Sequence, residues 1–250
     1  MNKVDSNPTA AVLLIGNELL SGRTQDTNLA YIAKRMVERG IRVKEARVIS
    51  DTPEVIVSSV NEMRQRYTYV FTTGGIGPTH DDITADCVAE AFGVLLPINA
   101  EAKATLLAYF AERDIKVNED RLRMARIPEG ASLVENAVSA APGFQLENVF
   151  VFAGVPRIMQ AMLDSVLDRL DEGQVLHSIT VLCQLGEGTI ASALRALQLQ
   201  YPDVDIGSYP GKMNEDPSHR LSLVARGTDE SQLLQIKIEL EKIIVDLTHG

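Results

Sequence analysis

At 250 residues, with 45% hydrophobic and 23% charged side chains, the chain suits one large globular domain, or one of ordinary size plus a small one. Its formal net charge of −10 argues against broad binding to nucleic-acid phosphates, which needs a basic surface, yet leaves carboxylates free for a metal and loop amides free for a small anion. No run approaches the roughly 18 apolar residues that span a bilayer, residues 1–9 read as a loose tail without a signal peptide's apolar core, and the distant Cys87 and Cys183 suit a reducing, cytoplasmic setting.

The run "TAAVLLIG" (9–16) is nearly continuous in apolar residues and ends in glycine, as in a strand buried on both faces. Residues 26–39 repeat Leu29, Ile32, Ala33, Met36 and Val37 at helical spacing, with Gly40 just beyond. A second strand is expected over 41–50. A helix follows over 52–66, opened by Thr52 and Pro53, with Ile56, Val60 and Met63 on one face. "YTYVFTT" (67–73) is the third strand, and 83–93 is a helix stopped by Gly93. Strands alternating with amphipathic helices predict an α/β fold of three α/β/α layers around a mostly parallel sheet. Ligands of such sheets bind beyond the carboxyl ends of the strands, where the loops 16–28, 49–53 and 73–84 should meet.

Residues 99–113 read as a helix with Leu106, Leu107 and Phe110 inward, and 118–131 as a short helix with three arginines and a turn. Two strands, a turn at Gly154–Pro156 and a helix are expected over 141–170, which closes a first domain of residues 10–172. The remainder, 173–250, has a β-α-β-β-α pattern of its own and predicts a second, smaller α/β domain.

The chemistry concentrates in "FTTGGIGPTHDDIT" (71–84). It lacks the lysine and Ser/Thr of a P-loop, and it does not follow the first strand as a dinucleotide fingerprint should. A tight turn with a capping aspartate is the simplest reading. Three glycines, Pro78 and the adjacent Asp81 and Asp82 exceed what a turn needs and fit a backbone shaped around a ligand. A cation between the acids and a phosphate would remove their repulsion, because Mg²⁺ typically takes one or two carboxylates plus phosphate oxygens. Asp82 has an alternative use as hydrogen-bond acceptor for a ribose or pterin group. In "IGNELLSGRTQDTN" (15–28), Glu18 lies in the predicted crevice, and Asp26 opens a helix either as its cap or beside a bound anion. His80 is a metal-ligand candidate or a solvent-facing loop histidine. His177, His219 and His249 have no partners at ligand spacing. Arg121, Arg123 and Arg126 are within reach of a phosphate, but a solvated helix face is the better reading.

The motifs "GNELLSGRTQDTN", "TTGGIGPTHDDIT", "IPEGA", "APGF" and "AGVP" occur in the order found in the N-terminal region of CinA proteins. They also resemble the matching domain of eukaryotic FAD synthases, and "GRTQDTN" with "GGIGPTHDD" is most similar to that branch. The resemblance covers about residues 10–226. It implies the molybdopterin-binding fold of MogA and gephyrin for the first domain. It also implies metal-dependent hydrolysis of ADP-ribose or FAD, or else binding of a pterin phosphate without turnover. Amides of residues 74–77 would hold the pyrophosphate, with Gly74, Gly75, Gly77, Pro78, Thr79, Asp26, Asn28, Asp51, Gly154 and Pro156 in the ligand site. Asp81, Asp82 and Glu18 would bind a divalent metal (Mg²⁺, Mn²⁺ or Co²⁺, with a monovalent cation as optional companion) or orient the attacking water. Asp82 matches the aspartate that follows the Gly-rich loop of the molybdopterin enzymes, and Asp51 the acid after their second strand. Asn17 stands where the family usually has aspartate. No segment resembles the amidase domain of CinA or the adenylyltransferase of FAD synthase, so neither activity is expected. The implied partners are a small nucleotide or pterin and further copies of the chain, with no nucleic acid and no membrane.

Overall fold

A computed structural model describes residues 7–210 and 220–249. Most of the tail and His219 lie outside the described residues. The chain divides into two compact units, Met1–Gly173 and Gln174–Gly250.

The first unit is a six-stranded sheet in the order β2-β1-β3-β6-β5-β4. Its strands are β1 (Thr9–Ile15), β2 (Arg42–Ile49), β3 (Tyr69–Thr73), β4 (Ser132–Val134), β5 (Gly143–Leu146) and β6 (Val149–Phe152). β2, β1, β3 and β6 run parallel, while β5 is antiparallel to both β6 and β4. Every side chain of β1 from Ala10 to Ile15 is buried, and they alternate between two cores. Ala11, Leu13 and Ile15 pack with α3 (Pro53–Arg66), α4 (Thr84–Phe92) and α5 (Ala100–Glu112). Ala10, Val12 and Leu14 pack with α2 (Asn28–Glu38) and α7 (Pro156–Val166). Burial on both faces explains why β1 reads as a continuous apolar run. Under α2 and α7, Tyr69, Phe71, Phe150 and Phe152 form a ladder with centroids 5.4–6.4 Å apart. Each buried phenylalanine contributes about 1.5–3 kcal/mol. This ladder makes β3 and β6 a rigid base for the loops at their ends.

Three details depart from expectation. Leu107 is 38% exposed, because it lies 100° around α5 from the Leu106–Phe110 face. The four-residue helix α1 (Asn17–Leu20) and the three-residue strand β4 are too short to leave a periodic signal. The short helix α6 (Glu119–Arg123) carries two of the three arginines expected on it, with Arg126 beyond its end.

The second unit is an antiparallel sheet in the order β7-β9-β8, from β7 (His177–Cys183), β8 (Asp205–Pro210) and β9 (Leu221–Gly227). Leu221, Leu223 and Ala225 alternate inward against α8 (Glu187–Gln200) and α9 (Glu230–His249). Among the described residues no helix is long and apolar enough to cross a membrane.

Candidate functional site

The sheet order reverses at β1. The chain goes from β1 outward to β2, then returns to β3 on the other side. This reversal opens a crevice beyond the carboxyl ends of β1 and β3. A cleft of about 540 Å³ lies there, within the size range of a small-molecule site. Glu18 and Thr24 from the β1–α2 loop, residues 74–78 and Asp82 from the β3–α4 loop, and residues 153–156 after β6 line it. Met124, Asn136, Ser139 and Ala141 complete the far wall.

The Gly-rich loop owes its path to specific bonds. Gly74 N donates to Phe152 O (3.1 Å), Thr84 Oγ1 donates to Gly74 O (2.9 Å), and Thr84 N donates to Gly75 O (3.0 Å). Gly74 has φ +107°, and a Cβ there would sit 2.2 Å from Ile15 O. Only glycine therefore lets β3 leave the sheet so close to β1. A Cβ on Gly75 would meet Thr84 Oγ1 at 2.3 Å, so that position serves the turn as well as the cleft. The N–H groups of Gly75, Ile76 and Gly77 donate to none of the described residues. They are backbone donors left without a protein partner on a loop that lines the cleft, and such donors are what anions bind where they converge.

The two cleft acids fold back over glycines. Asp82 Oδ2 accepts from Thr79 N (2.8 Å) and Thr79 Oγ1 (2.6 Å), and it occupies the space a Gly77 Cβ would fill, 2.6 Å away. The Glu18 carboxylate lies 2.4 Å from where a Gly16 Cβ would be. Glycine at 16 and 77 thus makes room for carboxylates.

The remaining predicted residues separate by role. Asp51 does not line the cleft. Its Oδ2 accepts from Asn17 N (2.8 Å) and so anchors the first turn of α1, which carries Glu18. The 49–53 loop stays out because β2 is the edge strand, with β1 between it and the crevice. Asp26 caps α2, each oxygen accepting one amide, from Asn28 and Leu29 (both 3.1 Å). Asn28 Nδ2 donates to Gly154 O at 2.8 Å, clamping the β6 loop. Gly154 and Pro156 line the cleft, whereas Thr79 and Asp81 do not. The side chain of His80 is 96% exposed, so it is a solvent-facing loop histidine. Burial pushes the Cys87 thiol up to about 11, which keeps it protonated at neutral pH.

One feature had been set aside in the sequence reading as a solvated helix face, and a second escaped it. Arg123 and Arg126 line a narrow recess together with Gly75, Gly77 and Asp82. Arg126 is bonded to Asp86 at 2.5 and 3.2 Å, which leaves Arg123 as the recess cation with no carboxylate bond among the described residues. Three arginines in six residues were the available signal. The second feature is the 136–141 wall, built around Asn136, whose Oδ1 accepts from Val138 N and Ser139 N (3.0 and 3.1 Å). An Asn followed by small residues before Pro-Gly is the trace it leaves in the sequence.

Among the described residues no three of His, Cys, Asp and Glu converge as a metal group. Glu18 and Asp82 nonetheless line one cleft. Two carboxylates completed by phosphate oxygens and water are a normal donor set for Mg²⁺. Glu18 and Asp82 are therefore the residues that would hold a cation shared with a bound phosphate, and Asp81 is outside that set.

Comparison with known proteins agrees with this fold. Residues 11–172 match the family described as probable molybdopterin binding domain, and residues 175–246 match the middle domain of FAD synthase. A protein of Archaeoglobus fulgidus is 37% identical over 200 residues, covering 80% of this chain and 84% of its own length. One of Aeropyrum pernix is 33% identical over 252 residues, covering 96% and 94%. Among solved structures, the protein CinA of unknown function from Thermoplasma acidophilum superposes with a TM-score of 0.60 at 31% identity, covering 65% of this chain and 98% of that one. The chain belongs to the molybdopterin-binding domain family, in the form that carries a FAD-synthase-type middle domain behind it.

Proposed function

We propose that the first unit is a divalent-metal-dependent nucleotide pyrophosphatase acting on an ADP-containing substrate such as ADP-ribose or FAD. The observation that carries this reading is the three free amides at Gly75–Gly77, which line the cleft together with Glu18 and Asp82 and a neighbouring recess together with Arg123. Free amides and an arginine suit pyrophosphate oxygens. A divalent cation held by Glu18 and Asp82 would neutralise phosphate charge and polarise the P–O bond. The chain's own groups do the rest. The loop amides and Arg123 orient the pyrophosphate. A cleft carboxylate takes a proton from the attacking water as a new P–O bond forms and the bridging P–O bond breaks. The products are AMP with ribose 5-phosphate, or AMP with FMN. Ile76, Pro78, Val155 and Ile158 give the cleft apolar walls for a ring.

A hydrolysis screen with ADP-ribose, FAD and NAD in Mg²⁺, Mn²⁺ or Co²⁺ tests the reading, and metal-dependent release of AMP is the expected result. The second reading is a pterin- or nucleotide-binding unit without turnover. It is favoured by the lack of a preassembled three-acid group among the described residues. Tight binding with no product in any metal would select it.

Gly77→Ala probes the carboxylate placement. The new Cβ displaces the mobile end of Asp82 and leaves the fold alone, because the nearest atom is a side-chain oxygen. Turnover should fall roughly 10–100-fold, the cost of misplacing a reacting group by about 1 Å. Thermal melting should shift by no more than a few degrees, for a loss of about 1 kcal/mol. Wild-type turnover in Gly77→Ala would place Asp82 outside the chemistry.

Arg123→Gln should weaken metal-free binding of ADP-ribose about 10–100-fold, as loss of a charge-assisted hydrogen bond predicts. Calorimetric titration checks it, and unchanged affinity would return Arg123 to a solvated helix face.

A further inference from the structure

The loop between β4 and β5 separates two cavities. Its residues Asn136, Ser139 and Ala141 line the main cleft. Ala137 and Ala140, again with Asn136, line a second pocket of about 240 Å³ beside α5.

Asn136 is 8% exposed and shapes this loop through four bonds. Its Oδ1 accepts from Val138 N and Ser139 N, and its Nδ2 donates to Ser139 Oγ (2.7 Å) and Ala141 O (2.8 Å). The partners fix which end of the amide is which, because a carbonyl only accepts and a backbone N–H only donates. Both acceptor sites and both N–H donors of Asn136 are thereby used, so it has nothing left for a ligand. Within the same loop Ala140 takes φ +62°, a left-handed conformation that alanine holds only under strain.

Ser139 differs. Its Oγ accepts from Asn136 Nδ2, so its own proton must point elsewhere, and no acceptor among the described residues takes it. The three residues joined through Nδ2 are the three of this loop that line the cleft, and Ser139 is only partly buried there. The other side chains of the far wall, Met124 and Ala141, carry no donor. The wall is therefore apolar apart from one oriented O–H group, which suits a flat ring with an acceptor on its edge.

We propose that Ser139 is a specificity-determining residue whose hydroxyl, oriented by Asn136, donates to a ring nitrogen of the ligand's adenine. The inference rests on the nucleotide reading and deepens it. The phosphates belong to the Gly75–Gly77 amides, and the base belongs to the 136–141 loop. Adenine is the ring that ADP-ribose and FAD share.

The test is calorimetric titration in EDTA of the wild-type protein with ADP-ribose, and with analogues in which one acceptor nitrogen of the adenine at a time is replaced by C–H. One analogue should bind about tenfold more weakly than ADP-ribose, the worth of one hydrogen bond. In Ser139→Ala, confirmed as folded by its melting curve, ADP-ribose should weaken by the same factor and the analogue's penalty should vanish. This variant keeps the backbone N–H that Asn136 Oδ1 accepts. Ser139→Cys, close in shape and a poor donor, takes its place if the alanine variant does not fold. If every analogue binds the wild type within about twofold of ADP-ribose, the inference is overturned. A penalty that persists in the folded variant also overturns it, because another group then reads the ring. Nitrogen-dependent binding that vanishes with Ser139 but comes without hydrolysis supports the inference and rejects the pyrophosphatase. Hydrolysis with all analogues bound alike does the reverse. No binding of ADP-ribose overturns both.

Discussion

Asp82→Asn is expected to lower turnover of an ADP-containing substrate about 10²–10³-fold, a loss of roughly 3–4 kcal/mol of transition-state stabilisation. The substitution is nearly isosteric. The asparagine Oδ1 still accepts from Thr79 N and Thr79 Oγ1, so the loop keeps its shape. What disappears is the charge beside the free amides. Metal-free binding of ADP-ribose should survive, and even tighten, because the pyrophosphate meets less repulsion. Asp81→Asn makes the contrast. Asp81 is outside the cleft lining and its side chain is 66% exposed, so its loss should leave turnover within a few fold of wild type. Steady-state rates at saturating Mn²⁺ for the two variants read the difference directly. Equal, small effects from both would mean that Asp82 only holds the start of the loop.

Gly74→Ala should be the most destabilising single-methyl addition in the loop. Two costs combine. A φ of +107° is a conformation that alanine adopts only under strain, about 1–3 kcal/mol. The new Cβ would also lie 2.2 Å from Ile15 O, a backbone atom that cannot swing aside, which adds about 1–3 kcal/mol. The sum, about 2–6 kcal/mol, corresponds to a melting temperature lower by some 4–24 °C in a unit of this size. Gly22→Ala is the control. Gly22 has φ +71° but nothing within 4 Å of the added carbon, so it bears the strain alone. Calorimetric scans of the two variants test the difference. Equal shifts would mean that β3 does not need its close approach to β1.

The order of β1, α2, β2, α3 and β3 was legible because each element has a period of its own. The continuous burial of β1 and the Leu29–Ile32–Met36 spacing of α2 cannot be exchanged. The polarity of a parallel sheet then places the Gly-rich loop at the ligand edge. What sequence could not give was distance. "DD" at 81–82 reads as a pair, yet Thr79 draws Asp82 inward over Gly77, while Asp81 stays outside the cleft lining with its side chain 66% exposed. Asp51 sits after a strand like the other acids, but edge position alone removes it from the cleft. Arg123 was noted as within reach of a phosphate but set aside, for the opposite reason. Its helix is only five residues long, too short for a periodic pattern to show which side faces the loop. The clamp that Asn28 makes through Nδ2 depends on one hydrogen bond to a residue 126 positions away.

The central claim is that the crevice beyond β1 and β3 binds a nucleotide pyrophosphate. A crystal structure of the protein with ADP-ribose and Mn²⁺ tests it most directly. The account predicts pyrophosphate oxygens within hydrogen-bond distance of the Gly75, Ile76 and Gly77 amides, Arg123 against a phosphate, and manganese density between Glu18 and Asp82. Ligand bound away from this cleft, or manganese held by neither carboxylate, would contradict it.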